Sequence, residues 1–325
     1  MPPARPRWRR TWIQVGASIT VLASALYFVD RAEIWRCLHQ MQAGWLALTL
    51  VILLAQFVVM ATRWWFFARK LSAPIGYAQA LAEYFLAGLL NQVMPLGILG
   101  DVTRAIRHAQ ATRVAAKPSQ NNERVVLAIV LERVAGQIAL WVVVAAILPA
   151  WWAAGSTGKS LLHGFLTGLV GFLLIALVGI ALLVWRRQAT PQLRHLVSEG
   201  FWVLFAPRNL ATHLPLSLLL VATHTLAFVT IAHGLGLQLP LQLAFRVVPI
   251  VLVATTLPLF IAGWGVREAT VAGLYHLAGL RAAEGVSIAI VYGCLSLLAS
   301  VPGVLALRRG AKVPYVPQGR ESTAL

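Results

Sequence analysis

Two arginines that follow a proline and a glycine at the same spacing are the first residues here that could do chemistry. The segment from Pro95 to Arg104 reads PLGILGDVTR, and the segment from Pro258 to Arg267 reads PLFIAGWGVR, so both match P-L-x-I-x-G-x-x-x-R. A guanidinium donates two parallel hydrogen bonds and therefore suits phosphate and carboxylate groups. The pattern predicts that Arg104 and Arg267 seat an anionic group; the alternative is that each arginine only extends to a water interface.

Carboxylates lie beside both arginines. Asp101 precedes Arg104 by three residues, and Glu268 directly follows Arg267. Each carboxylate could pair with its arginine or act as the base in a group-transfer reaction. The sequence alone leaves both roles open.

Glu132 and Arg133 are a further acidic and basic neighbour pair, and they lie in the apolar run 125–148. Adjacent residues on a helix point about 100° apart, so these two need not pair with each other. We expect one or both to meet charges from the motif segments, either as a structural ion pair or as a proton or substrate relay. Asn91, just before the first motif, is expected either to satisfy free backbone groups or to line a pathway.

The composition indicates an integral membrane protein. Of the 325 residues, 59% are hydrophobic and 11% are charged, whereas a soluble domain carries about 25% charged residues. Trp64 and Trp65, near the end of one apolar stretch, fit an interfacial aromatic belt. Apolar stretches of about 20 residues, the length of a spanning helix, lie near 12–29, 44–66, 125–148, 160–185, 210–235 and 284–307.

Two further apolar stretches, 77–100 and 243–262, contain the repeated motif. Proline ends or bends a helix and glycine permits close backbone approach, so these stretches are predicted to be broken helices. At membrane depth such a break survives only where protein or a wet cavity covers it. The predicted break and close-approach residues are Pro95, Gly97, Gly100, Pro258, Gly263 and Gly265.

The distribution of basic residues predicts the orientation. The arginines between residues 5 and 10 place the N-terminus in the cytoplasm. If 77–100 re-enters from the cytoplasm, the basic residues of 104–124 stay inside, and 236–283 then begins and ends on the opposite side. Most of the 27 lysines and arginines are cytoplasmic in this arrangement.

The predicted fold is therefore an all-α polytopic membrane protein with six full spans and two re-entrant broken-helix segments. Segments that re-enter from opposite sides indicate an inverted repeat, with halves of about 1–150 and 151–325. Residues 309–325 are predicted to form a short cytoplasmic tail. Discontinuous helices that meet near the midplane are where transporters bind substrate.

Several classes of function find no support in the sequence. The net charge of +17 is scattered over short segments between apolar stretches, which is typical of positive-inside topology rather than of nucleic-acid binding. No G-x-S-x-G, Walker or H-E-x-x-H motif occurs, so no catalytic residue, metal or cofactor is predicted. The two cysteines, Cys37 and Cys294, suggest neither a disulfide nor a metal site.

Three segments, taken in order, resemble the transmembrane region of lysylphosphatidylglycerol synthases, a flippase-like family. They are FLAGLLNQVMPLGILGDVTRA (85–105), VLERVAGQIAL (130–140) and IAGWGVREATV (261–271). The resemblance implies an eight-helix-like unit that translocates lipids, and it carries motif roles onto these positions: Asn91, Pro95, Gly97, Gly100, Asp101, Arg104, Glu132, Arg133, Gly263, Gly265, Arg267 and Glu268.

The resemblance also bears on activity. Two-domain members carry an aminoacyl-transfer domain after the membrane region, and because this sequence ends at Leu325, aminoacyl transfer is not expected. Leu99 stands where glycine is common in the family, so backbone approach there is expected to differ.

The favoured interpretation is a translocator of phospholipids or lipid-linked intermediates in the cytoplasmic membrane, with both termini cytoplasmic. Two alternatives stay open: a membrane transferase acting on a lipid phosphate, and a non-transporting accessory subunit of a lipid or glycan synthase. The expected partners are membrane lipids with anionic or phosphate-bearing head groups, with a lipid or glycan synthase as a further possibility and no nucleic acid.

Overall fold

A computed structural model describes residues 31–94, 99–113, 118–152, 191–256 and 263–308, and these residues form helices joined by short connections. The helices are α1 (Arg31–His39), α2 (Ala43–Lys70), α3 (Tyr77–Val93), α4 (Leu99–Arg113), α5 (Pro118–Trp152), α6 (Pro191–Phe205), α7 (Pro207–Gly234), α8 (Leu241–Thr255), α9 (Val266–Leu277), α10 (Ala282–Ser300) and α11 (Gly303–Arg308).

Four helical segments are long and apolar enough to cross a membrane, and they confirm four of the six predicted spans within the described residues. The predicted spans 12–29 and 160–185 lie outside those residues. The chain is therefore a multi-pass membrane protein, and its regular secondary structure within the described residues is α-helical. The four segments are Ala43–Lys70, Asn122–Pro149, Pro207–Gly234 and Ala282–Ala306.

The ends of α2 and α7 follow from local sequence. Arg69 and Lys70 occupy the last turn of α2, where cations favour the negative end of the helix dipole. The chain then turns through Ser72, which has a φ of 51° in the left-handed region. Helix α7 begins at Pro207, whose missing N–H costs nothing at a first helical position.

The core forms where α2 packs along α7, with α5, α8 and α10 completing the bundle. Leu53 and Phe57 of α2 and Phe228 and Ile231 of α7 are all buried in it. A buried hydrogen bond of 2.8 Å also joins the hydroxyls of Thr49 and Thr230. Polar groups shared between helices in this way stabilise packing where lipid surrounds the bundle.

Each repeated motif spans the junction of two helices that are shorter than a membrane span and includes the first residues of the second helix. Helix α3 has 17 residues and α4 has 15, while α8 has 15 and α9 has 12. Helix α3 packs against α4, and α8 packs against α9. Of the predicted break residues, Pro95, Gly97 and Pro258 lie outside the described residues, whereas Gly100, Gly263 and Gly265 are described.

The two motif copies have the same spacing but start their helices at different offsets. Helix α4 begins at Leu99, just before Gly100 of the first motif. Helix α9 begins at Val266, just before Arg267 of the second motif. Gly263 and Gly265 have φ values of 73° and 86°. Such backbone favours glycine, and the position equivalent to Gly265 in the first copy is a valine, so the turn before α9 cannot form there.

Candidate functional site

The carboxylate of Glu132 joins side chains from three other helices. It lies on α5 and is fully buried, and it accepts hydrogen bonds from Arg63 of α2 and from Tyr84 Oη at 2.9 Å. Nη2 of Arg104, on α4, lies 3.2 Å from Glu132 Oε2. Because an uncompensated buried charge is costly, this carboxylate holds the surrounding helices together.

Asp101 forms a second bridge within the same group of charges. Its Oδ1 accepts a hydrogen bond of 2.9 Å from Arg104, and its Oδ2 accepts one from Arg133. The side chain of Arg133 is 49% exposed, whereas that of Glu132 is fully buried. The two adjacent residues therefore face different environments, as expected for neighbours on a helix.

The guanidinium of Arg104 lies between two aromatic rings. Its Cζ is 4.5 Å from the ring centroid of Trp64 and 4.3 Å from that of Tyr84. Aromatic faces attract cations, and the attraction grows when water is excluded. We call this group the first arginine cluster, and its members are Arg63, Trp64, Tyr84, Asp101, Arg104, Glu132 and Arg133.

A comparable group surrounds the second motif arginine. Nη2 of Arg267 lies 2.7 Å from Glu268 Oε1, and Oε2 of Glu268 accepts a 2.7 Å hydrogen bond from the Gly265 N–H. The Cζ of Arg267 is 4.8 Å from the ring centroid of Trp264 and 5.5 Å from that of Tyr292. These five residues form the second arginine cluster.

Small residues let both clusters close. A Cβ on Gly293 would lie 2.3 Å from Nη2 of Arg267, so only glycine leaves room for that guanidinium. A Cβ on Gly136 would lie 3.1 Å from the guanidinium nitrogens of Arg63. Both glycines therefore serve the charged clusters by allowing the side chains to approach the helix backbone.

Asn91 lies at the junction of α3 and α4, where it bonds a backbone group rather than a charged side chain of the first arginine cluster. Its Oδ1 accepts a 2.8 Å hydrogen bond from the N–H of Gly100. The first turn of a helix leaves backbone N–H groups without intrahelical partners, and this amide oxygen satisfies one of them. This is one of the two roles that the sequence left open for Asn91.

The structure distributes the sequence-predicted site residues over two groups. Asp101, Arg104, Glu132 and Arg133 come together, and Arg267 pairs with Glu268 elsewhere. Within the described ranges, the ion pairs of the first group end on Asp101 and Glu132, and the ion pair of the second group ends on Glu268. The two motif arginines are therefore paired with different carboxylates.

The aromatic members and Arg63 were not predicted as site residues from the sequence. The prediction that Trp64 belongs to an interfacial belt is wrong, because Trp64 is fully buried against Arg104. Arg63 is 6% exposed and pairs with Glu132 and Ser217. A cation placed between Thr62 and Trp64 in an apolar run was the signal that could have identified it.

A cavity of about 500 Å³ lies apart from both clusters, between α6 and the start of α7. Its lining includes His195, Glu199, Trp202 and Asn209. No member of either arginine cluster lines it, so this cavity does not expose the motif arginines. In the described part of the chain, no group of His, Cys, Asp and Glu residues could hold a metal ion.

A bundle of apolar spans with two arginine clusters beside short helices defines a multi-pass membrane protein. The chain belongs to the family described as the lysylphosphatidylglycerol synthase TM region, whose family model matches residues 11–303. The match confirms the resemblance seen in the sequence. Neither a search of curated proteins nor a search of solved structures gives a match.

Proposed function

We propose that this protein translocates phospholipids or lipid-linked intermediates across the cytoplasmic membrane. The observation that carries the proposal is the pair of arginine clusters beside the two motif breaks. In each, a buried motif arginine stacks on one tryptophan and one tyrosine and pairs with a carboxylate. Intramembrane ionisable residues are expensive to bury, and they commonly mark substrate pathways.

The carboxylates that pair with Arg104 and Arg267 occupy the positions that a lipid phosphate would take. Arg104 uses Nη2 for both Asp101 and Glu132, while Arg267 directs Nε and Nη2 at Glu268. A phosphate offers the same kind of oxygen acceptors, so it can replace a carboxylate as the partner of a guanidinium. Exchange of partners would let the lipid bind without leaving a buried arginine unpaired.

The described conformation is closed around both arginines. Arg104 is 0% exposed and Arg267 is 4% exposed, so a head group must separate the surrounding helices before it reaches either one. The short pairs α3–α4 and α8–α9 are the elements best suited to move, because each is interrupted at its motif. We assign them as re-entrant segments of an inverted repeat that open to opposite sides in turn.

The enzyme alternative requires Asp101 or Glu268 as a base. Asp101 already accepts hydrogen bonds from two arginines, and Glu268 accepts hydrogen bonds from Arg267 and from a backbone N–H. Both oxygens of each carboxylate therefore already accept a hydrogen bond, which leaves little room for a substrate hydroxyl to approach as a proton donor. This arrangement favours transport, with membrane lipids as substrates and a lipid or glycan synthase as a candidate partner.

Translocation of labelled phospholipid in reconstituted vesicles tests the proposal. We expect the purified chain to accelerate transfer, and Arg104→Lys and Arg267→Lys each to reduce the rate about tenfold or more while leaving detergent melting near wild type. Lysine keeps the charge but loses the planar fork. The exposed Arg36→Lys is the matched control and should transport normally.

Because both clusters serve one pathway, the double variant should be little worse than either single variant. No acceleration by the wild-type chain for any phosphate-bearing lipid contradicts the proposed function and favours an accessory subunit. Wild-type rates in both lysine variants contradict the role of the two guanidiniums. A loss of transport matched by lower melting would show that the arginines only stabilise the fold.

A further inference from the structure

Arg133 differs from the other arginines of the first cluster in being accessible. Its side chain is 49% exposed, compared with 7% for Arg63 and 0% for Arg104. It nevertheless lies within the candidate span Asn122–Pro149. A charged side chain in a span normally faces protein, water or a polar partner. The guanidinium of Arg133 pairs with Asp101 on one side, and its exposed side is open to a second anion from outside the bundle.

The charge balance of the cluster points the same way. Three guanidiniums share two carboxylates: Glu132 pairs with Arg63 and Arg104, and Asp101 pairs with Arg104 and Arg133. One positive charge is therefore left over. Arg104 is closed off by protein, and its Nε and Nη1 are buried without a hydrogen-bond partner. The surplus can be neutralised from outside only at Arg133.

The surface around Arg133 is apolar. Valines at positions 126, 130, 134 and 142 and Ile138 are all exposed. Val126 and Val130 lie within about 60° of Arg133 around α5, and because four residues turn a helix by about 400°, the strip winds round the helix from there. Beside Asp101 on α4, Val102 is also exposed. A strip of branched aliphatic side chains beside one guanidinium fits an amphiphile, whereas free phosphate would gain nothing from the strip.

We propose that Arg133 and the exposed strip of α5 form a docking site for an anionic phospholipid, whose phosphate pairs with Arg133 while its acyl chain lies along the strip. The inference rests on the proposed function for its substrate class. It adds a first contact on the outside of the bundle, next to the closed pair of Asp101 and Arg104. A lipid phosphate bound there competes only with Asp101 for the guanidinium of Arg133.

Binding can be measured without transport. The delipidated chain in neutral detergent is titrated with dioctanoyl phosphatidylglycerol, dioctanoyl phosphatidylcholine or inorganic phosphate, and melting is followed, because a ligand that binds the folded state raises the melting temperature. We expect phosphatidylglycerol to raise it more than phosphatidylcholine, and phosphate to have no effect at the same concentration.

Variants then locate the site. Arg133→Gln should weaken apparent phosphatidylglycerol affinity about tenfold or more, Arg133→Lys should weaken it less, and the exposed control Arg36→Gln should bind as wild type. Arg133→Gln leaves Asp101 paired with Arg104, so the unliganded chain should still melt cooperatively. In addition, a photoreactive residue in place of Val130 should cross-link to the lipid in the wild-type background only.

Equal shifts for the two lipids, a full phosphatidylglycerol shift in Arg133→Gln, or an equal shift from inorganic phosphate would each overturn the docking site. These outcomes are separable from a failure of the proposed function. A chain that binds phosphatidylglycerol through Arg133 but accelerates no transfer contradicts translocation alone. A chain that transports normally with Arg133→Gln contradicts the docking site alone.

Discussion

At the scale of single residues, Glu132 is the point where a local substitution has effects in several helices. Its carboxylate receives Arg63 from α2, Tyr84 from α3 and Arg104 from α4. Each of these side chains is buried, so water cannot replace a lost partner. Removing one member of a buried ion pair is therefore more damaging than replacing the whole pair by apolar groups.

We expect Glu132→Gln to lower the free energy of unfolding by about 3–5 kcal/mol, because Arg63 and Arg104 would lose their shared anion. The measurement is thermal or denaturant unfolding in detergent. Glu123→Gln changes an exposed carboxylate of the same helix and should have little effect. Indistinguishable unfolding of the two variants would show that Glu132 does not hold the cluster together.

Only part of this cluster could be predicted from the sequence. The pairing of Asp101 with Arg104 is local, three residues apart on one helix, and such spacing is readable without a structure. The contacts of Glu132 with Arg63 and Tyr84 join residues 69 and 48 positions apart. They depend on how the helices pack, so sequence periodicity could show the charges but not their partners.

At the scale of elements, the junction of α3 and α4 depends on close backbone approach. A Cβ on Gly100 would lie 2.1 Å from the carbonyl oxygen of Ala87 and 2.7 Å from Oδ1 of Asn91. Asn91 can accept the hydrogen bond of the Gly100 N–H only while the two helices stay this close. The glycine therefore positions α4, and with it Asp101 and Arg104.

Gly100→Ala should destabilise the chain by about 1–3 kcal/mol, the usual range for overpacking a well-packed site. The matched control is Gly273→Ala in α9, where an added Cβ meets nothing within 4 Å. That control should be neutral or slightly stabilising, because alanine is the better helix former. Equal melting temperatures for the two variants would contradict the close contact between α3 and α4.

His108 of α4, outside the four candidate spans, gives this element a dependence on pH. It is 1% exposed and packs edge-on against Trp64, and burial lowers its pKa from 6.5 to about 4. In the unfolded chain His108 binds a proton as the pH falls below about 6.5, whereas in the folded chain it stays neutral until about pH 4. The contribution of His108 to the free energy of unfolding is therefore fully present above pH 6.5 and falls by up to about 1.4 kcal/mol per pH unit between 6.5 and 4.

We expect His108→Gln to weaken this pH dependence, because glutamine does not titrate. Melting temperatures of the wild-type and variant chains should be compared between pH 7.5 and 4.5, and the difference should change in the variant's favour as pH falls. His233→Gln, at an exposed hydrogen-bonded histidine near the end of α7, is the comparison variant. Parallel pH curves for the wild-type chain and His108→Gln would contradict a neutral, buried His108.

At the scale of the whole molecule, the spans were more predictable than the arrangement of the motif segments. Spans 44–66 and 210–235 could be identified because hydropathy is a local property, and both correspond to long helices in the described residues. The orientation of α3–α4 and α8–α9 was predicted instead from a small number of basic residues and the side of the membrane on which each lies. Two of those charges, Arg63 and Arg104, are buried partners of Glu132, which weakens their value as cytoplasmic markers.

The orientation can be tested by labelling single cysteines in intact cells and in inverted vesicles, after Cys37 and Cys294 are changed to serine. We expect Gln110→Cys, on an exposed position of α4, to react from the cytoplasm, and Gln238→Cys, exposed before α8, to react from the opposite side. These sides follow if both motif segments re-enter, since the basic residues after Arg104 then stay inside. Detergent-solubilised protein should label at both positions, which controls for access. Reaction of both cysteines from one face of the membrane would contradict the inverted repeat, and the two arginine clusters would then open to the same side.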